Sequence, residues 1–439
     1  MRHRLSRPCV TALISVTLST GVPLAHAVER ISVATGGGQG NGQSQYPAIS
    51  GDGRYVVFES DASNLVANDS NSATDVFVRD RVLGTTTRVS LTSTGAQSAS
   101  ASRGASISGS GVRIAFWSYG ALLPNSNYAN CYVLDRTSST LQILDLRADN
   151  GQPGSAVCDN PTLDYAGNHA AFVTRTPAVA GDSNGSADVF VRNLATHITM
   201  RANRGPAGVE ADADSSFPRI SGDGSHVIYA SAATNLVAGD SNTDRDIFIS
   251  PSDGSSAATR VNIGPGNVQA ENGGFAGEWA ALNADGSLLA FSSKAHALPD
   301  WALVAESTLY LRIPSTDQTI ALSIPDGNLP REGFNYEPDF DYSGRYLTFA
   351  SSDQLYVGAE QGGVYVADLV EGLITQVSIG GNTSNVHQPR LSADGTGVVW
   401  FSLSTTQVPG DTNGTWDVFY ADNPLWVEPP IFADGFDGQ

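Results

Sequence analysis

The stretch PAISGDGRYVVFESDASNLVANDSNSATDVFVRD, residues 47–80, decides the fold because its landmarks recur six more times along the chain. A turn glycine stands at Gly53, Gly111, Gly167, Gly224, Gly286, Gly344 and Gly395, at a mean spacing of 57 residues. Five residues after each glycine comes an aromatic: Phe58, Phe116, Phe172, Tyr229, Phe291, Phe349 and Trp400. Seven residues after it comes a small hydroxyl: Ser60, Ser118, Thr174, Ser231, Ser293, Ser351 and Ser402. Three positions held in register through seven copies mean one structural unit repeated seven times.

Each unit reads as four strands. In the first copy they cover Tyr46 to Ser50, Arg54 to Ser60, Asp75 to Asp80 and Thr86 to Leu91. The second and third are rich in β-branched and aromatic residues and are bounded by Gly, Asn, Asp and Ser clusters. The SGDG text between the first two is hairpin chemistry, since Asp tolerates and Gly favours a left-handed backbone. No segment shows helical periodicity. Seven four-stranded units predict an all-β, seven-bladed β-propeller. The seventh copy has three strands, ending at Asp417 to Ala421, and its fourth is missing. Glu29-Arg30-Ile31-Ser32-Val33 matches the fourth-strand text Thr87-Arg88-Val89-Ser90-Leu91, so the N-terminal strand is expected to complete the last blade. Such closure protects strand edges from pairing with other chains.

The repeat resembles that of TolB-like, WD-repeat-like bacterial propellers. Pro47, Ser50, Asp52, Gly53, Phe58, Asp75, Val76 and Phe77 carry the resemblance. It covers nearly all of 28–424 and implies an exported propeller that binds a protein or another ligand in the envelope. The second, fifth and sixth copies depart from the family text.

Outside the repeats, Arg2, Arg4 and Arg7 precede an uncharged stretch from Cys9 to Ala25 and the small-residue site Ala25-His26-Ala27. This reads as a secretory signal peptide over 1–27. The propeller then spans 28–425, and 426–439 is a flexible tail whose IFADGFD ending resembles that of some exported gammaproteobacterial proteins. No later stretch is long and apolar enough to span a membrane. A periplasmic or secreted monomer is expected. Formal charge is −20 for the whole chain; without the three leading arginines, 21 basic residues face 44 acidic ones, or −23. With one lysine, Lys294, and no basic run, nucleic acid is excluded as a partner.

Four copies carry Asp-[Ser/Thr]-Asn-x-x-x-Asp between strands two and three. The residues are Asp69, Asn71 and Asp75; Asp182, Asn184 and Asp188; Asp240, Asn242 and Asp246; and Asp411, Asn413 and Asp417. Alternating oxygens on a tight loop suit Ca²⁺, which takes six to eight such ligands. The other reading is that Asp and Asn cap these turns by bonding their own backbone. The second copy has Asn125-Ser126-Asn127, with Cys131 placed where the last Asp should be, and so counts as a loop that lost its charge. Cys131 and Cys158 survive signal removal, and an even pair in an exported protein predicts a disulfide.

The search for catalytic residues is negative. His169, His197, His226, His296 and His387 form no metal-binding or triad motif, and no G-x-S-x-G elbow is present. The expected function is therefore a non-enzymatic scaffold binding a protein, peptide or glycan through one acidic, loop-rich face, with Ca²⁺ as the candidate ion. The alternative is a polysaccharide lyase or hydrolase with a metal-assisted site at the central channel.

Overall fold

The computed structural model describes residues 27–427 apart from 127, 150, 243, 265–267, 270–279, 295–297, 299–306, 323–333, 353–354, 356–358, 361 and 379–385. The expected signal peptide, up to residue 26, and most of the expected tail lie outside the described residues. Seven four-stranded antiparallel sheets form the seven blades. Among the described residues there is no α-helix, only short 3₁₀ turns such as Pro206–Gly208. In blade one the strands are Ser44–Ile49, Tyr55–Ser60, Asp75–Asp80 and Thr85–Arg88, counted from the axis outward. The third strand matches the sequence reading and the others shift by one to three residues.

The repeated landmarks have physical jobs. The aromatic five after the glycine lies opposite an aromatic of the third strand, as Phe58 does with Phe77. Their ring centroids are 5.9 Å apart, and the pair recurs in every blade through to Trp400 and Phe419 at 6.1 Å. Each such pair adds about 1 kcal/mol beyond its burial. The hydroxyl two residues on accepts the N–H that opens the following loop, as Ser60 Oγ does from Ala62 at 3.1 Å. In the turn, Asp52 Oδ1 accepts from Arg54 N and Ser50 Oγ while Gly53 sits at φ +69°.

The ring closes as expected. Glu29–Arg30 pairs with the third strand of blade seven, Asp417–Asp422, through Glu29↔Tyr420 and Arg30↔Phe419. Ile31 is fully buried, and Ser32 Oγ donates to Asp417 at 2.6 Å. Arg81 of blade one clasps the seam, reaching Glu29 at 2.9 Å and stacking on Tyr420.

The strand directions put the two ends of the channel in different surroundings. The innermost strands start at the face that carries the long loops and end at the face of the SGDG turns. Around the turn face, each turn donates a backbone hydrogen bond to the next: Gly51 to Gly109, Gly109 to Tyr165, Tyr165 to Gly222, Asp223 to Ala284, Ala284 to Tyr342, Tyr342 to Ala393 and Asp394 back to Gly51. Tyr165 and Tyr342, from blades three and six, meet across the axis with centroids 4.9 Å apart. They lie over Gly51, Gly109 and Gly222, where a Cβ would have no room. The channel is therefore closed at the turn face.

Candidate functional site

The predicted Asp/Asn loops lie on the loop face, and each is built around a guanidinium. In blade one, Arg88 Nη1 reaches Asp75 Oδ2 at 2.8 Å, Asp69 Oδ1 at 3.2 Å and Gln97 Oε1 at 2.8 Å. Asn71 donates to Asp75 at 2.9 Å. Arg260 does the same for Asp246 at 2.8 Å and Asp240 at 3.4 Å, with Gln269 donating to Asp240. Arg201 serves Asp182, Asp188 and Glu210. Arg30 serves Asp411 and Asp417 at 3.4 and 3.7 Å, with Gln39 beside them. All four arginines come from the outermost strand, opposite the third-strand aromatic.

This partner was present in the sequence but not recognised. Arginine occupies that place in the four acidic-loop copies, and Gln or Glu follows nine residues later at Gln39, Gln97, Glu210 and Gln269. In the other three blades the equivalent residues are Ile143, Ala321 and Gln376. Acid and arginine thus occur together. The carboxylates face an internal cation at the point where Ca²⁺ was expected. Burial holds Asp69, Asp246 and Asp417 above the usual carboxylate range. Burial, with Asp188 alongside, pushes Asp182 up to about 6. Among the described residues no group of three or more His, Cys, Asp or Glu is arranged to hold a metal ion.

Blade two corrects one reading. Ser118 pairs with Asn130 as Ser60 pairs with Asp75, so Asn130 and not Cys131 occupies the place of the last Asp. The error came from counting four residues on from Asn127, because the loop before this strand is shorter. The charge has moved rather than vanished. Asp145, two residues past the outermost strand, accepts from Asn130 Nδ2 at 2.7 Å and Cys131 N at 3.1 Å, and burial raises it to about 7. Cys131 and Cys158 form the expected disulfide, with Cα atoms 5.4 Å apart, joining blades two and three.

The sequence reading named the central channel only for its alternative function and assigned no residues to it; the structure supplies them. The channel holds a cavity of about 640 Å³, lined by the innermost strands of six blades. That volume falls in the range of small-molecule and cofactor pockets. Six innermost strands carry a bulge with a left-handed residue: Tyr46, Gly104, Asn160, Phe217, Glu337 and Gln388, at φ +46° to +64°. Bulges re-aim side chains and cluster at sites, and for non-glycine residues the conformation costs about 1–3 kcal/mol. Two residues further on, the blades differ: Ala48, Ser106, Thr162, Arg219, Ala281, Asp339 and Arg390. Next comes an apolar floor that includes Ile49, Ile107, Leu163, Ile220 and Leu391.

The pocket wall is polar and uneven. Arg219 Nη1 bonds Asp339 Oδ1 at 3.1 Å and Pro338 O at 3.3 Å, while Leu391 N donates to Asp339 Oδ2 at 3.0 Å. Burial, then the facing Arg390, lowers Arg219 to about 10. Nearer the loop face, Glu59 accepts the bulge N–H of Gly104 at 2.6 Å. Burial raises Glu59 to about 7 and also raises Asp159. Trp117 stands at the Glu59 position in blade two. Among the described residues the histidines do not converge on a single point. His169 is held between Asp164 and Asn193 on the turn face, His226 contacts Ser225, and His387 stacks on Phe401; His296 lies outside the described residues.

No family model matches the chain, and no curated protein matches it either. Solved structures do. The oligogalacturonate lyase of Vibrio parahaemolyticus is similar at 13% identity over 92% of this chain and 95% of that one, with a TM-score of 0.52. The propeller domain of the Trilobed protease from Pyrococcus furiosus, of open velcro topology, aligns at 11% identity over 87% and 95%, with a TM-score of 0.50. An acylaminoacyl peptidase aligns at 10% identity and a TM-score of 0.50; the chain covers 51% of its length. These similarities establish the propeller fold, and the TolB-like resemblance stands at that level. They also correct one expectation. The chain was expected not to be an enzyme, yet a lyase and a peptidase carry this architecture, so the fold gives no ground for that exclusion.

Proposed function

We propose that this chain is an exported, ligand-binding β-propeller that seats a segment of a protein, peptide or glycan in its blind central pocket, entered from the acidic loop face. The observation that carries the reading is the contrast between the two ends of the channel. The turn face is sealed by a hydrogen-bonded ring and two tyrosines. Toward the loop face, the innermost strands present bulged, polar and aromatic side chains around a cavity that is open among the described residues. A rigid scaffold with exposed loops around such a cavity is where binding usually resides. The disulfide agrees with an oxidising compartment. Among the described residues no helix is long and apolar enough to cross a membrane.

Thiol footprinting tests this. The native cysteines are bonded to each other, so Thr162→Cys puts a single reactive thiol in the pocket of the mature protein. Envelope extract should slow maleimide labelling of that thiol and leave a Val82→Cys control on the turn face unaffected. Equal labelling with and without extract at both positions would defeat the reading.

A further inference from the structure

The charges in the pocket are ordered along its axis. At depth, just above the apolar floor, Arg219 and Arg390 stand at equivalent places in blades four and seven, and Asp339 stands at the same place in blade six. Both Asp339 oxygens are engaged, one by Arg219 Nη1 and one by Leu391 N. Arg390 Nη1 donates to the carbonyl of its own neighbour Pro389, at 2.9 Å. At this depth two guanidinium groups stand with one carboxylate, which Arg219 alone bonds, and Glu337, nearer the mouth, also acts on Arg219. Toward the mouth the balance reverses: Glu59 and Asp159 line the pocket, Glu337 lies behind His387, and Arg103 is the facing cation.

We infer that the pocket takes the C-terminal end of a polypeptide, with the terminal carboxylate on Arg219 and Arg390 and a basic side chain just behind it facing Glu59 and Asp159. The inference rests on the pocket reading above. A blind end lined by two guanidinium groups suits a chain terminus bearing a carboxylate, and a guanidinium fork is the strongest protein partner for that group. The anionic mouth, in a chain of formal charge −20, attracts basic segments and repels polyanions at long range. That favours a basic-tailed peptide over an acidic glycan. Phe217 and Tyr46 supply apolar faces along the way down.

The test uses mature protein and acetylated hexapeptides randomised near a free C-terminus, the same library amidated, and oligogalacturonate as the acidic-glycan arm. The retained free-acid pool should be enriched in Lys or Arg close to the terminus. Amidation should weaken binding roughly tenfold or more. Arg390→Met should remove that preference without changing the thermal midpoint, and Arg390→Lys should keep part of it. Equal binding of acid and amide, enrichment of acidic residues, or uptake of oligogalacturonate in place of peptide would overturn the inference. Thr162→Cys protection by extract together with equal acid and amide binding would refute the C-terminus and leave the pocket reading intact; loss of that protection would refute both.

Discussion

Replacing Arg88 by Met tests whether the acidic loops are built on an internal cation. Arg88 is 7% exposed and bridges Asp69 and Asp75, themselves 6% and 0% exposed. Removing the cation leaves two buried carboxylates without their counter-charge, a class of change that costs about 3–5 kcal/mol. For a ring of this length the unfolding entropy converts roughly 4 kcal/mol into a fall of about 5 °C in thermal midpoint. The vacated cluster keeps Asp69, Asp75 and the amide oxygen of Gln97 as hard oxygen donors. Millimolar Ca²⁺ should therefore recover part of the loss in Arg88→Met while leaving the parent protein's midpoint unchanged, since only a ligand bound by the folded state shifts it. Scanning calorimetry with chelator and then with calcium reads both arms. A calcium-dependent rise in the parent protein, or an Arg88→Met variant as stable as the parent, would refute the reasoning.

Three further outcomes follow from the same structure. Deleting residues 28–33 removes Arg30, the fully buried Ile31 and the Ser32 bond to Asp417, so near-UV circular dichroism should show a lower midpoint than any single cluster variant. Glu59, raised to about 7 by burial, binds more protons folded than unfolded between its ordinary value near 4.5 and 7. Its contribution is thus fully present below about 4.5 and is lost as pH rises through about 7. Glu59→Gln should flatten that part of the midpoint–pH curve and gain about 3 kcal/mol at pH 8, as measured by denaturant titration. Replacing Cys131 and Cys158 together by Ser opens a loop closed over 27 residues and should cost about 3.5 kcal/mol in the same titration.

The fold was legible because blade-building positions repeat. Gly53, Phe58 and Ser60 recur for reasons local to each blade, and the closing strand shared the fourth-strand text of the first blade. The pocket was illegible for the opposite reason. Arg219, Asp339 and Arg390 sit where the copies disagree, and a search for repetition passes over such places. Their meeting depends on blades four, six and seven converging on one axis, a separation of more than 110 residues for Arg219 and Asp339. The arginine of each acidic cluster was legible in principle. It stands nine residues before a Gln or Glu in the four copies that keep the acids, but the acids alone read as a ligand motif. Tyr165 and Tyr342 were visible in DYAG and DYSG as departures from glycine, although their contact across the axis needs the closed ring.

The central claim is that the ligand enters the blind pocket from the loop face. Site-specific photocross-linking reads this most directly, with the photoreactive residue at position 162 inside the pocket or at position 82 on the turn face, followed by mass spectrometry of the adducts. The account predicts a discrete adduct from position 162 and none from position 82. Adducts from position 82 alone, or from neither position under conditions where the parent protein binds its ligand, would contradict it.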